Sequence, residues 1–97
     1  MNGLRDKVPI PPKDTMNTGL SPAKESNHSF GTAIDLFFGT KVIPQGTHLA
    51  HRGIFLLFPF FNRHGWYWGA EFSGDFVDSM HFELAEETVL KLPDMPL

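Results

Sequence analysis

Apolar and polar residues follow three different rhythms along the chain. Residues 1–25 show no apolar periodicity and hold four of the eight prolines; Val8 to Pro12 reads as extended or polyproline-like chain. This region is expected to be an irregular N-terminal arm. Thr32 to Phe37 is short and apolar, interrupted only by Asp35, and predicts a buried strand. Thr47 to Phe58 predicts the main helix, with Thr47 as N-cap and a second half apolar on all sides, hence buried. Pro59 should end or kink it. Phe60 to His64 then adds a turn closed by Gly65.

Beyond that glycine the rhythm becomes strand-like. Trp66, Tyr67 and Trp68 predict a strand running into Gly69. Met80 to Leu84 alternates, with Met80, Phe82 and Leu84 on one face and His81 and Glu83 on the other. Glu86 to Lys91 predicts a short terminal helix stopped by Pro93. The expected fold class is α+β, a small antiparallel sheet with one main central helix.

Composition narrows the chemistry. The 97 residues suit one domain, one small enough to bury only ~60–65% of the surface of its unfolded chain. Without cysteine, disulfides and thiolate metal sites are excluded, and His, Asp and Glu remain as strong ligands. The net charge of -3 comes from interspersed signs with no basic patch, which argues against nucleic acid as a partner. The longest apolar run, Gly53 to Phe61, contains Pro59 and is far short of the ~20 residues a membrane span needs. Met1 to Pro12 lacks the apolar stretch of a signal peptide. A monomer is expected.

Two clusters carry candidate chemistry. In Ser26-Asn27-His28-Ser29-Phe30-Gly31-Thr32-Ala33-Ile34-Asp35, a His precedes a glycine turn and an Asp lies inside an apolar strand. Burying that carboxylate is costly unless something positive meets it, and a metal is the natural partner. The glycine at 31 permits a bend that folds His28 back toward Asp35. In Asp78-Ser79-Met80-His81-Phe82-Glu83, His81 leaves its strand on the face opposite its apolar neighbours, and Asp78 lies in the turn before it. Two His and one Asp form a three-ligand zinc set with a position left open, the mark of a catalytic site. A carboxylate just outside such a set can carry a proton from water to a leaving amine.

These two clusters together resemble the zinc D-alanyl-D-alanine carboxypeptidases and L-alanyl-D-glutamate endopeptidases of bacteria and their phages. Their signature is Ser-x-His-x-x-Gly-x-Ala-x-Asp followed at a distance by Asp/Glu-x-x-His, and residues 26–35 and 78–81 match every fixed position. The stretch His64-Gly65-Trp66-Tyr67-Trp68-Gly69 is similar to an aromatic-glycine segment in some members. The resemblance implies a hydrolase acting on peptidoglycan stem peptides. His28, Asp35 and His81 would be zinc ligands on the sheet, Asp78 the catalytic carboxylate, and residues 26–97 the catalytic core. The site of action it implies is the cell wall or periplasm. Asp at position 78 tilts the comparison toward endolysin-like endopeptidases, although neither L-Ala-D-Glu nor D-Ala-D-Ala cleavage is singled out. Some relatives carry His-x-His at the last motif; Ser79 stands where the first of those would be, so that version of the mechanism is not available here.

The family's oxyanion Arg has no clear counterpart. Only 27 residues precede His28, and Arg5 is the sole Arg among them. Arg5, Ser26 and Glu83 are the weaker candidates for contacts to substrate or to a ligand histidine. A truncated relative that binds zinc and cell-wall peptide without turnover is the alternative. Elsewhere the plainer interpretations hold. His48 and His51, one helical turn apart, read as polar residues at an exposed helix start. His64 reads as a helix C-terminal residue meeting the dipole. Trp66, Tyr67, Trp68, Phe37 and Phe38 read as core.

Overall fold

The computed structural model describes residues 2–23, 33–39 and 42–91. After a 3-10 turn at Asn2–Arg5 come β1 (Lys7–Pro9), β2 (Ala33–Asp35), β3 (Leu49–His51), α1 (Arg52–Arg63), β4 (Trp66–Trp68), β5 (His81–Leu84) and α2 (Glu86–Val89). β1 pairs antiparallel with β3, and a three-stranded antiparallel sheet runs in the order β2-β5-β4. The expected α+β class, with small antiparallel sheets and one main helix, holds.

Aromatic packing between α1 and the three-stranded sheet makes the core. Ile54 and Phe58 of α1 meet Trp68 and Phe82, with Ala50 and Ala70 closing the cluster. Phe61 stacks on Phe82 with ring centroids 4.3 Å apart, and Phe55 meets Trp68 edge-on at 5.1 Å. Residues 54, 58 and 61 share one helix face by their i, i+4, i+7 spacing. Phe82 points into this core, so its neighbours His81 and Glu83 leave β5 on the opposite face, as alternation requires.

Several local expectations give way to tertiary pairing. Thr47 is not a helix N-cap. The chain from Leu49 to His51 is extended instead, because β1 supplies a backbone partner in the register Lys7↔His51, Val8↔Ala50 and Pro9↔Leu49. The N-terminal region is therefore not wholly irregular. α1 starts later and runs through Pro59 to Arg63, with Pro59 on an exposed face. Gly65, at φ 82, closes it as expected. The second half of α1 is not buried all round: Leu56 and Phe60 are exposed. Phe37 is exposed too, so it is not core, whereas Phe38 packs against the cluster. His51 is fully buried in β3, against its expected place at an exposed helix start.

Residues of the N-terminal region are held to the sheet by side chains that satisfy backbone groups. The Asn17 amide donates to the carbonyl of Trp68 at 3.1 Å and accepts from its N–H at 2.9 Å, extending the pairing of β4 by one side chain. The buried carboxylate of Glu71 accepts from the N–H groups of Thr15 and Met16, both at 2.9 Å. No helix among the described residues is long and apolar enough to cross a membrane.

Candidate metal centre

The Asp78-x-x-His81 spacing is a turn. The N–H of His81 donates to the carbonyl of Asp78 at 3.1 Å, so the two side chains leave one tight bend. Neighbours fix this bend on several sides. The N–H of Asp78 donates to Gly69 at 2.9 Å, that of Leu36 donates to Met80 at 2.7 Å, and the Trp68 indole donates to Ser79 at 2.8 Å. Gly69 must be glycine for this. A Cβ there would lie 2.5 Å from the carbonyl oxygen of Asp78 and 3.0 Å from the Cβ of His81.

β2 brings in the third group. In its antiparallel register with β5, Asp35 sits directly opposite His81. Asp35, Asp78 and His81 can each offer one ligand atom with all three within 4.8 Å of one another. The structure thus gathers residues from both sequence clusters. His28 and Ser26, with the Gly31 bend, lie outside the described residues.

Asp35 is not the buried carboxylate that its apolar neighbours predict. Its side chain is 46% exposed, because β2 is an edge strand among the described residues and only Ala33 of its three residues is buried. The case for a cation here rests instead on the orientation of the His81 ring. Nε2 of His81 lies 2.8 Å from Glu83 Oε1, and Nδ1 lies 3.2 Å from Asp35 Oδ1. Both partners are carboxylates, which only accept, and the shorter, buried contact to Glu83 assigns the hydrogen of a neutral ring to Nε2. In the neutral ring Nδ1 then presents a lone pair to a second carboxylate. That contact is attractive only with a positive centre between them, either a proton or a metal ion.

The proton's case is visible in the electrostatics. Burial by itself would lower the His81 pKa, but hydrogen bonding and charge from Glu83, then Asp35, outweigh it and hold the pKa above the usual histidine value. Metal and proton would compete for the same nitrogen. Two carboxylates and an imidazole nitrogen are a donor set that suits zinc, so the residues present fit that ion.

Glu83 is buried and accepts from His81. Phe72 went unnoticed in the sequence. Its ring lies 5.6 Å from that of His81 and stacks on Tyr67 at 5.7 Å, covering the His81 side of the site. Nothing in its local pattern signals this, since the contact depends on the 3-10 turn Gly69–Glu71. Tyr67 is pushed up to about 12, chiefly by burial and then by the charges of Asp14, Glu71 and Glu83, so it is a neutral wall.

The remaining basic side chains lie in different settings. The Arg5 guanidinium rests against Gly39, past the end of β2. Arg52 pairs with Asp6 at 3.8 Å, and Arg63 lies over the Phe60 ring. His64 caps the C-terminus of α1 as expected, and His48 is exposed.

A family profile described as D-alanyl-D-alanine carboxypeptidase matches residues 20–84, more than half of the 97. No curated protein and no solved structure matched the chain. The match spans both sequence clusters, Gly69 and the full length of β5. The chain belongs to this D-alanyl-D-alanine carboxypeptidase family, peptidases that act on peptidoglycan.

Proposed function

We propose that the protein is a zinc-dependent peptidase that hydrolyses a peptide bond in peptidoglycan stem peptides, either an L-Ala-D-Glu or a D-Ala-D-Ala bond. The observation that carries this is the convergence of Asp35, Asp78 and His81 within 4.8 Å, in a chain of this family. His28, Asp35 and His81 would hold the ion. When bound, zinc supplies Lewis-acid chemistry, polarising a carbonyl and making water a competent nucleophile near neutral pH.

The protein's own groups do the rest. Asp78 is the proton carrier, taking a proton from the attacking water and delivering it to the departing amine. Its backbone is pinned by Gly69 and by the N–H of His81, so little motion is needed to keep it in place. Asp35 is partly exposed and lies at the edge of the described sheet, the side proposed to receive the substrate peptide. Phe72 packs against the His81 ring and is backed in turn by Tyr67. The proposed place of action is the cell wall or periplasm.

A second role for Asp78 is favoured by the same short distances: as a fourth ligand it would close the site. Digestion of purified muropeptides, with products read by mass spectrometry, tests the main proposal. New amino termini that vanish with chelator and return with zinc are expected, and their position names the bond. A zinc-replete chain that binds muropeptides and leaves them intact would support the binding-only alternative.

A further inference from the structure

We propose that Glu83 is the positioning residue of this site: it sets which nitrogen of His81 faces the metal, and it ties His81 to the chain segment that leads into the His28 cluster. The inference rests on the zinc reading above and assigns a role that reading does not require.

Glu83 occupies a place where a carboxylate is expensive. It is 7% exposed, in the central strand of the sheet, between Ala33 of β2 and Tyr67 of β4. A charge there must be met by donors. Each of its oxygens has one. Oε1 lies 2.8 Å from His81 Nε2, and Oε2 accepts from the N–H of Ala23 at 2.7 Å.

The first contact fixes the ring. With its hydrogen given to Glu83, Nε2 is committed, and Nδ1 is the nitrogen turned to Asp35 and available to a metal. A carboxylate that holds the far nitrogen of a ligand imidazole fixes its tautomer and angle and makes it a better donor. The second contact reaches Ala23, five residues before His28 in sequence. Ala23 is the last described residue before the segment bearing Ser26 and His28. One side chain thus touches the strand that carries His81 and the chain that runs toward His28. Serial backbone bonds along β5 could hold the strand, but they could not select the ring nitrogen.

Glu87 provides a control from the same neighbourhood. It accepts from the N–H and hydroxyl of Ser21, both at 2.8 Å, and so tethers the same segment without contacting His81. The test is zinc affinity of the full chain by competition with a chromophoric chelator, together with the ring N–H proton signal of His81 by NMR. Glu83→Ala should weaken zinc binding by roughly 10–100-fold, the usual cost of losing such a partner, and should abolish the slowly exchanging Nε2–H signal. Glu83→Gln guards against simple misfolding. Its amide can serve His81 or Ala23 but cannot accept from both, so an intermediate loss is expected in a folded protein. Glu87→Ala should match the parent in both readouts. A parent that binds zinc while both Glu83 variants bind it equally well overturns the positioning role and leaves the zinc reading standing. A parent that takes up no zinc overturns both.

Discussion

His81 donates its backbone N–H to the carbonyl of Asp78 at 3.1 Å, and this one bond explains why the two residues stand three apart. A tight turn puts the proposed proton carrier and a proposed ligand on a single rigid bend. Neither can shift without the other. The bend is in turn held against Gly69, a residue with no side chain.

Gly69→Ala should damage the site through the backbone. The added methyl would fall 2.5 Å from the Asp78 carbonyl oxygen, and a backbone atom cannot swing aside. Overpacking of this kind costs about 1–3 kcal/mol. Urea unfolding should show that loss, and zinc affinity should fall with it. Gly3→Ala, whose new methyl has no neighbour closer than 4.0 Å, should change neither. A Gly69→Ala protein with parent stability and zinc affinity would refute the close approach.

His51 should be a liability in acid. It is 0% exposed, and both ring nitrogens lack a hydrogen-bond partner among the described residues. Burial first, and then the charge of Lys7, lower its pKa from 6.5. The unfolded chain therefore takes up the proton before the folded one. This contribution to stability is present above pH 6.5 and is lost as pH falls through 6.5 toward the lower folded value. His51→Leu removes both the titration and the unsatisfied nitrogens, and should stabilise the protein by about 1 kcal/mol near neutrality. Its advantage should grow at pH 5. The shift of His81 has the opposite sign, so the two proteins must be compared with each other, where His81 cancels. An advantage that shrinks in acid would contradict the assignment.

Metal should stabilise the fold through linkage. Asp35 is half-exposed, so the gain comes from binding to the folded chain alone and not from rescue of a buried charge. Free zinc at 100 times its Kd adds ~2.7 kcal/mol, which for a domain of this size raises Tm by roughly 10–20 °C. Equal melting temperatures with zinc and with chelator would show that the folded chain has no such site.

The sequence made some of this legible and hid the rest, for reasons that lie in particular residues. β5 could be read because alternation of Phe82 with His81 and Glu83 is a local property. The Asp78–His81 bend could be read because its spacing is that of a turn. The start of α1 could not, because Leu49 to His51 take their conformation from Lys7 to Pro9, forty residues and more away in sequence. Tertiary pairing there overrides helix propensity. The same distance effect hid the exposure of Asp35, since whether a short apolar strand lies at an edge depends on sheet order. Phe72 and Ala23 were invisible because one acts through a ring contact and the other through its backbone.

The division of labour between Asp78 and His81 is the centre of the account, and a paired measurement on two variants tests it. Zinc content and muropeptide cleavage rate are measured for Asp78→Asn and His81→Ala beside the parent. His81→Ala should lose both metal and activity. Asp78→Asn nearly preserves shape but cannot accept the proton of water at neutral pH. It should bind one zinc per chain as the parent does, while its rate falls by ~10²-fold or more. A zinc-loaded Asp78→Asn protein that cleaves at the parent rate would contradict the assignment of the base.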